Sequence, residues 1–168
     1  MILITSKKFI EEYKTIQNIY QDFAESICLI LRILLKDNAF NYQEIFSRVK
    51  DPNSLYQKIN KHKKFQNIKT VKEIDDLAGC RIIFYLDKDI DRFREYIFRE
   101  FNIVKDNLRY SEEDYNARHI IVKLSESRLA LSEYAKFSGT KCEIQLTTVL
   151  YHAWSEMNHD IIYKPQGL

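Results

Sequence analysis

From residue 7 to residue 35 apolar side chains return every three or four positions: Phe9, Ile10, Tyr13, Ile16, Ile19, Tyr20, Phe23, Ile27, Ile30, Leu31 and Leu34. At 3.6 residues per turn this spacing gathers them into one stripe and turns the polar residues away, so the segment reads as one long amphipathic helix. Ser6 can cap its start and Asp37-Asn38 can end it. Such a helix is held mainly by packing its stripe on another apolar layer, and the remaining residues have to build that layer.

Strand signals supply it. Residues 42–50 (YQEIFSRVK) alternate polar and apolar around Ile45 and Phe46, and Asp51-Pro52-Asn53-Ser54 reads as a turn opening a helix that runs to about His62. Residues 80–86 (CRIIFYL) are β-branched and aromatic, the mark of a buried strand. A charged amphipathic helix follows over 87–100, with Ile90, Phe93, Ile97 and Phe98 inward. Further strands are expected at 101–105, 117–124 and 141–147, and a closing helix at 148–162 with Trp154, Met157 and Ile161 on its apolar side. One long helix followed by mixed strands and helices is an α+β pattern.

Composition narrows the class. With 168 residues the chain is one domain to one and a half, and 45% hydrophobic with 30% charged residues excludes disorder as the default. The longest apolar run, 27–35, is broken by Arg32 and falls short of the ~20 residues that span a bilayer, so no membrane partner is expected. The start, MILITSKKF, does not read as a secretory signal. Cys28, Cys80 and Cys142 are odd in number and scattered, which fits neither a disulfide framework nor a zinc site and favours a reducing cytoplasm. The net charge of +2 is an average over unlike regions: residues 48–72 carry eight basic side chains against Asp51 alone. That block can face a polyanion.

Several constellations carry chemistry. Arg48 and Lys50 share one side of a strand; Ser54 and Lys58 share one face of the next helix. A strand–turn–helix corner with three cations, a hydroxyl and a helix N-terminus suits a triphosphate, and a solvated basic surface is the alternative. Asp76, in Asp75-Asp76-Leu77-Ala78-Gly79-Cys80-Arg81, can hold magnesium at a strand entry or simply form a turn or cap. Glu143 shares a strand face with Gln145 and Thr147, away from Cys142, Ile144 and Leu146. If that strand is central, its carboxylate needs a cation, either a metal shared with Asp76 or a salt bridge to Arg81 or Arg118. Tyr115 and His119 can stack on a base or merely pack. His152, Glu156 and His159 lie along one helical face, without the spacing of a zinc protease.

In this order the pieces resemble the synthetase domain of the RelA/SpoT family, the (p)ppGpp synthetases. The matching residues are Arg48-Val49-Lys50, Ser54, Lys58, Asp76-Leu77-Ala78-Gly79-Cys80-Arg81, Tyr115 to His119, Glu143-Ile144-Gln145-Leu146, Trp154, Glu156, His159 and Tyr163-Lys164. The long helix makes an N-terminal helical segment, 1–40, and the resemblance implies for 41–168 a pyrophosphotransferase domain with a nucleotidyltransferase-like mixed β-sheet flanked by helices. It implies transfer of the β,γ-pyrophosphate of ATP to a ribose 3′-hydroxyl with Mg2+. Arg48 would clamp the adenine side of ATP; Lys50, Ser54 and Lys58 would hold the triphosphate. Asp76 and Glu143 would bind the metal, Glu143 alternatively helping to deprotonate the hydroxyl. Tyr115, His119 and Gln145 would form the acceptor side.

The departures from the family pattern all fall on that side. Asp114 stands where the family has Gly, after an acidic run of Glu112 and Glu113; Ala117 replaces a Ser, Thr147 an Arg, and residues 125–140 read as an insertion. Negative charge there opposes a polyphosphate acceptor. A guanosine nucleotide (GDP or GTP) is the family default, and the 3′-CCA end of tRNA, as in toxic small members, is the runner-up. An adenosine nucleotide acceptor and a catalytically inactive nucleotide-binding module are the other readings. The chain stops just after the last family motif, so a regulatory or antitoxin-like C-terminal region is a further expected partner.

Overall fold

The computed structural model describes residues 2–65, 67–109 and 117–163. The elements in chain order are α1 (Ile2–Asp37), β1 (Tyr42–Val49), α2 (Pro52–Lys61), β2 (Ala78–Phe84), α3 (Asp87–Glu100), β3 (Asn102–Arg109), β4 (Ala117–Lys123), α4 (Glu126–Leu129), β5 (Cys142–Thr148) and α5 (Val149–Tyr163). One sheet of five strands runs in the order β1-β2-β5-β4-β3. Only β2 and β5 pair in parallel; the other three pairings are antiparallel. The expected mixed sheet flanked by helices is therefore the architecture observed.

The stripe of α1 does what its spacing requires. Tyr13, Phe23, Ile27, Leu31 and Leu35 are fully buried and join Cys80, Ile82, Phe84, Ile144 and Leu146 of the sheet in one core with Phe93 and Ile97 of α3. The helix ends where Asp37-Asn38 suggests. Phe40 N donates to Leu35 O and Ala39 N to Lys36 O, with Ala39 at φ +52, which is a Schellman stop built without glycine. The stop turns Phe40 into an aromatic cluster, edge-on to Phe93 at 5.0 Å and to Tyr96 at 5.4 Å between ring centres.

Some boundaries differ from the sequence reading. Helix α1 starts before residue 7, so Ser6 lies inside it and donates to Asn60 Oδ1 at 2.7 Å instead of capping. Strand β2 begins two residues earlier and stops at Phe84, leaving Tyr85 and Leu86 half exposed. Strand β3 extends to Arg109, well past residue 105, because its pairing with β4 continues to Arg109 opposite Ala117. In α5 the apolar side is not an inward face: Leu150 is 85% exposed and Met157 55%. The stretch 125–140 contains α4 and a helical turn, Ala135–Phe137, whose Phe137 ring packs tilted against Phe23 of α1 at 5.1 Å between ring centres. No described helix is long and apolar enough to cross a membrane.

Phe93 is the pivot of the aromatic cluster, fully buried between α3 and the sheet, 5.7 Å from the Phe84 ring. Phe93→Ala should cost about 3–5 kcal/mol of unfolding free energy, measured by urea titration. A loss under about 1 kcal/mol would mean the core closes around the void.

Candidate active site

The sheet face away from α1 and α3 carries Gly79 and Arg81 of β2, Glu143 and Gln145 of β5 and His119 of β4, because alternate residues point the same way. A cleft of about 600 Å3 opens on this face, lined among others by Arg48, Lys58, Asp76, His119, Glu143 and Gln145. The sequence motifs at residues 48, 58, 76, 119, 143 and 145 thus share one cavity.

One wall is basic. Asp51 caps α2, accepting from Ser54 N at 3.0 Å, with Pro52 in the first turn. This aims the start of α2 so that Lys58 reaches Asp76 Oδ2 at 2.7 Å. Lys50, just past β1, reaches the same oxygen at 2.6 Å. Ser54 is exposed, one turn before Lys58. Arg48 spreads over Gly79: a Cβ there would stand 3.2 Å from Arg48 Cγ and Nε, so the glycine leaves the guanidinium room to lie on the strand. Asp76 itself sits in the turn before β2, not on a strand beside Glu143.

The floor is acidic and buried. Glu143 is 7% exposed on the middle strand, where all seven residues are buried. His119 Nδ1 donates to Glu143 Oε1 at 2.9 Å and Gln145 Nε2 to Oε2 at 2.7 Å, with Arg48 at 4.0 Å. The salt bridge expected from Arg81 or Arg118 is not what forms. Arg118 is committed to Asp106, and Arg81 donates from Nε to Gln145 Oε1 at 2.9 Å while lying 3.3 Å from His152 Nδ1 and 3.6 Å from Glu156. Arg81 thereby turns the amide of Gln145 so that its NH2 faces Glu143. Tyr115 and the acidic residues 112–114 lie outside the described residues, as do Lys164 and the side chain of His159.

The family described as "Region found in RelA / SpoT proteins" matches residues 47–167. The chain belongs to the RelA/SpoT family. It is similar to GTP pyrophosphokinase YwaC of Bacillus subtilis (strain 168), 29% identical over 124 residues, 70% of this chain and 57% of that relative. The chain thus spans little more than half of that relative's length. Among solved structures it resembles the small alarmone synthetase 1 from Bacillus subtilis, with TM-score 0.74 and 22% identity, covering 94% of this chain and 82% of that one. The same synthetase bound to its product pppGpp gives TM-score 0.71 at 20% identity, covering 94% and 84%. These likenesses confirm the fold of this RelA/SpoT member.

Two features went unread in the sequence. Lys105 lines the cleft and pairs with Asp75 Oδ2 at 2.5 Å, while Lys141 holds the other oxygen. Lys105 stood at the expected end of a short strand, so its alternation along the full β3 was missed. His62 and Phe65 also line the cleft, edge-to-face at 6.2 Å; an isolated aromatic in a lysine-rich stretch carries no periodic signal.

The electrostatics follow from burial opposed by donors. Burial pushes Asp76 up, but the hydrogen bonds and charges of Lys50 and Lys58 outweigh it and hold the group down to about 2. Burial likewise opposes the ionised Glu143, and His119 and Gln145 overcome it, lowering its pKa despite repulsion from Asp76. Both carboxylates are charged at neutral pH. Asp76 Oδ1 is buried with no hydrogen-bond partner among the described residues, an unused hard oxygen that suits a divalent cation. Because its folded pKa lies below the ordinary 3.8, the stability Asp76 contributes is present above pH 4 and lost as pH falls towards 2. Unfolding free energy measured across that window should fall by roughly 2 kcal/mol more in the wild type than in Asp76→Asn. Parallel curves would disprove the lysine-held state.

Proposed function

We propose that this chain transfers the β,γ-pyrophosphate of ATP to the ribose 3′-hydroxyl of a guanosine nucleotide. The observation that carries the reading is one cleft lined by Arg48, Lys58 and Asp76 together with the buried Glu143–His119 pair, with Lys50 bound to Asp76 beside it. In this reading Arg48 clamps the adenine side of ATP, and Lys50, Ser54 and Lys58 take the triphosphate, exchanging part of their hold on Asp76 for phosphate oxygens. The GTP pyrophosphokinase relative and the pppGpp-bound synthetase support this substrate class.

The 3′-oxygen attacks the β-phosphorus. A bond forms between them, the bond from the β-phosphorus to the oxygen bridging the α-phosphate breaks, and AMP departs with that oxygen. Glu143, kept ionised by His119 and Gln145, accepts the hydroxyl proton as the new bond forms, which requires hydrogen-bond reach of that hydroxyl. Asp76, through its unpartnered Oδ1, would hold Mg2+, with Glu143 as a second ligand in the alternative in which it does not take the proton. When bound, the ion supplies neutralisation of charge on the transferred group. Lysine and arginine would do the same from the protein, and binding both reactants in one cleft would align them. His119 and Gln145, with Tyr115, make the acceptor side.

The test offers labelled ATP with GDP, GTP, ATP and deacylated tRNA in parallel. Label is expected on the guanosine nucleotide, and Glu143→Gln should reduce transfer by about 100-fold or more with an unchanged melting curve. Measurable ATP binding with no transfer to any acceptor would sink the enzyme reading in favour of a nucleotide-binding module.

One observation favours a second acceptor. Lys61, Lys63, Lys69 and Lys72 are exposed around the cleft-lining His62, Phe65 and Ile68, and none is ion-paired among the described residues. An apron of unpaired lysines beside the cleft suits the phosphodiester backbone of an RNA. If tRNA takes the label, reversing Lys61, Lys63, Lys69 and Lys72 to Glu together should abolish that transfer and its salt dependence while ATP binding stays intact. Unaltered tRNA labelling would remove the apron from the account.

A further inference from the structure

Helix α1 lies outside the stretch matched to the RelA/SpoT family, 47–167. Its stripe explains most of its packing, but four polar side chains on it reach segments that build the ATP wall. Ser6 donates to Asn60 at the end of α2. Glu12 accepts from the Thr70 hydroxyl and from Val71 N, securing the segment that leads to Asp75-Asp76. Tyr13 and Gln17, one turn apart, both end on one atom, the carbonyl oxygen of Lys50: Tyr13 Oη donates at 2.6 Å and Gln17 Nε2 at 3.3 Å.

Lys50 is held from every side. Its amide donates to Leu77 O at 2.9 Å, its ammonium sits on Asp76 Oδ2, and the next residue is the cap of α2. The carbonyl has no partner in the sheet, since β1 has ended at Val49, and its two partners both come from α1. Tyr13 is fully buried, and a buried tyrosine hydroxyl normally finds a partner. Core packing accounts for the ring; it does not account for the hydroxyl's meeting the peptide that sets the direction of Lys50 and the first turn of α2.

We infer that Tyr13, assisted by Gln17, is a positioning residue for the ATP wall, fixing through the Lys50 carbonyl the placement of the Lys50 ammonium, Ser54 and Lys58 against the triphosphate. The role rests on the ATP-binding part of the function proposed above. Removing the hydroxyl leaves the ring and the core in place but lets the corner between β1 and α2 rotate.

The test compares Tyr13→Phe, Gln17→Ala and the control Tyr20→Phe in the full chain. Tyr20 is another buried tyrosine of α1, with its ring 6.3 Å from that of Tyr13. Affinity for the α,β-methylene analogue of ATP is read by calorimetry, and KM for ATP and for the acceptor by transfer assay, beside thermal melting. Tyr13→Phe should bind the analogue about fivefold more weakly, as the loss of one hydrogen bond implies, raising KM for ATP but not for the acceptor. Gln17→Ala, a half-buried helical site that tolerates alanine, should show a smaller change of the same kind, so the assignment survives even if Tyr13→Phe fails to fold. Tyr20→Phe should match the wild type. Wild-type affinity in both Tyr13→Phe and Gln17→Ala, or an equal loss in Tyr20→Phe, overturns the assignment. A wild type that binds the analogue and transfers to nothing overturns the transfer reading alone, and one that binds no analogue overturns both.

Discussion

Glu143 sits on the middle strand of a five-stranded sheet with 7% of its surface exposed, and the arrangement of the cleft is a response to that burial. A carboxylate there is stable as an anion only if donors replace the water it has lost. His119 comes from β4, antiparallel to β5, and stands opposite Gln145, which brings its ring diagonally onto Glu143. Gln145 comes from the same strand two residues on, but its amide would serve equally well reversed. Arg81, on the neighbouring parallel strand, settles the direction by donating to its oxygen. A one-residue slip of β4 would carry His119 to the other face, and a slip of β2 would carry away Arg81, which orients the amide of Gln145. The register of the sheet and the ionisation of the carboxylate are therefore the same fact.

The second carboxylate is stabilised differently. Asp76 belongs to a connection, and its partners, Lys50 and Lys58, come from another connection and a helix. Two cations on one oxygen leave local positive charge in excess, and Arg48 adds to it across Gly79. Its neighbour Asp75 is likewise held by two lysines, Lys105 and Lys141, so both carboxylates are outnumbered by cations. Net charge conceals this, since +2 sums a basic block and acidic flanks.

Much of this was legible in the sequence where a local pattern had a local cause. The stripe of α1, the Asp51-Pro52 helix start and the alternation of Cys142, Glu143, Ile144 and Gln145 each follow from one element's geometry. What was not legible depends on pairing. Strand β3 reads as short because Asn102, Lys105, Asp106 and Asn107 are poor strand formers, and β4 holds them in place through the ladder. Arg81 and Arg118 were equal candidates for Glu143 on charge alone; Asp106, on the strand beside β4, claims Arg118. Spacing placed Met157 on the apolar side of the closing helix without saying whether anything covers it, and the residue is exposed. Asp76 looked like half of a metal pair, and its lysine partners came into view only when the turn after β1 and the turn before β2 were seen side by side.

The two halves of the cleft also differ in what holds them rigid. His119, Gln145 and Glu143 stand on central strands whose backbone groups are fixed by ladders on both sides, so their placement needs nothing further. The cationic wall is built from connections at 49–52 and 69–77, and connections have few ladder bonds of their own. They are rigid here because something outside the sheet takes their free carbonyls and amides. Helix α1 does so with Glu12, Tyr13 and Gln17 while its apolar residues lie on the core, so one helix carries both the largest share of packing and the anchoring of the less ordered wall. Its length follows from that double task. Ser6 reaches the end of α2, Tyr13 and Gln17 the corner after β1, and Phe23 the turn before β5, contacts spread over nearly five turns that no short helix would span.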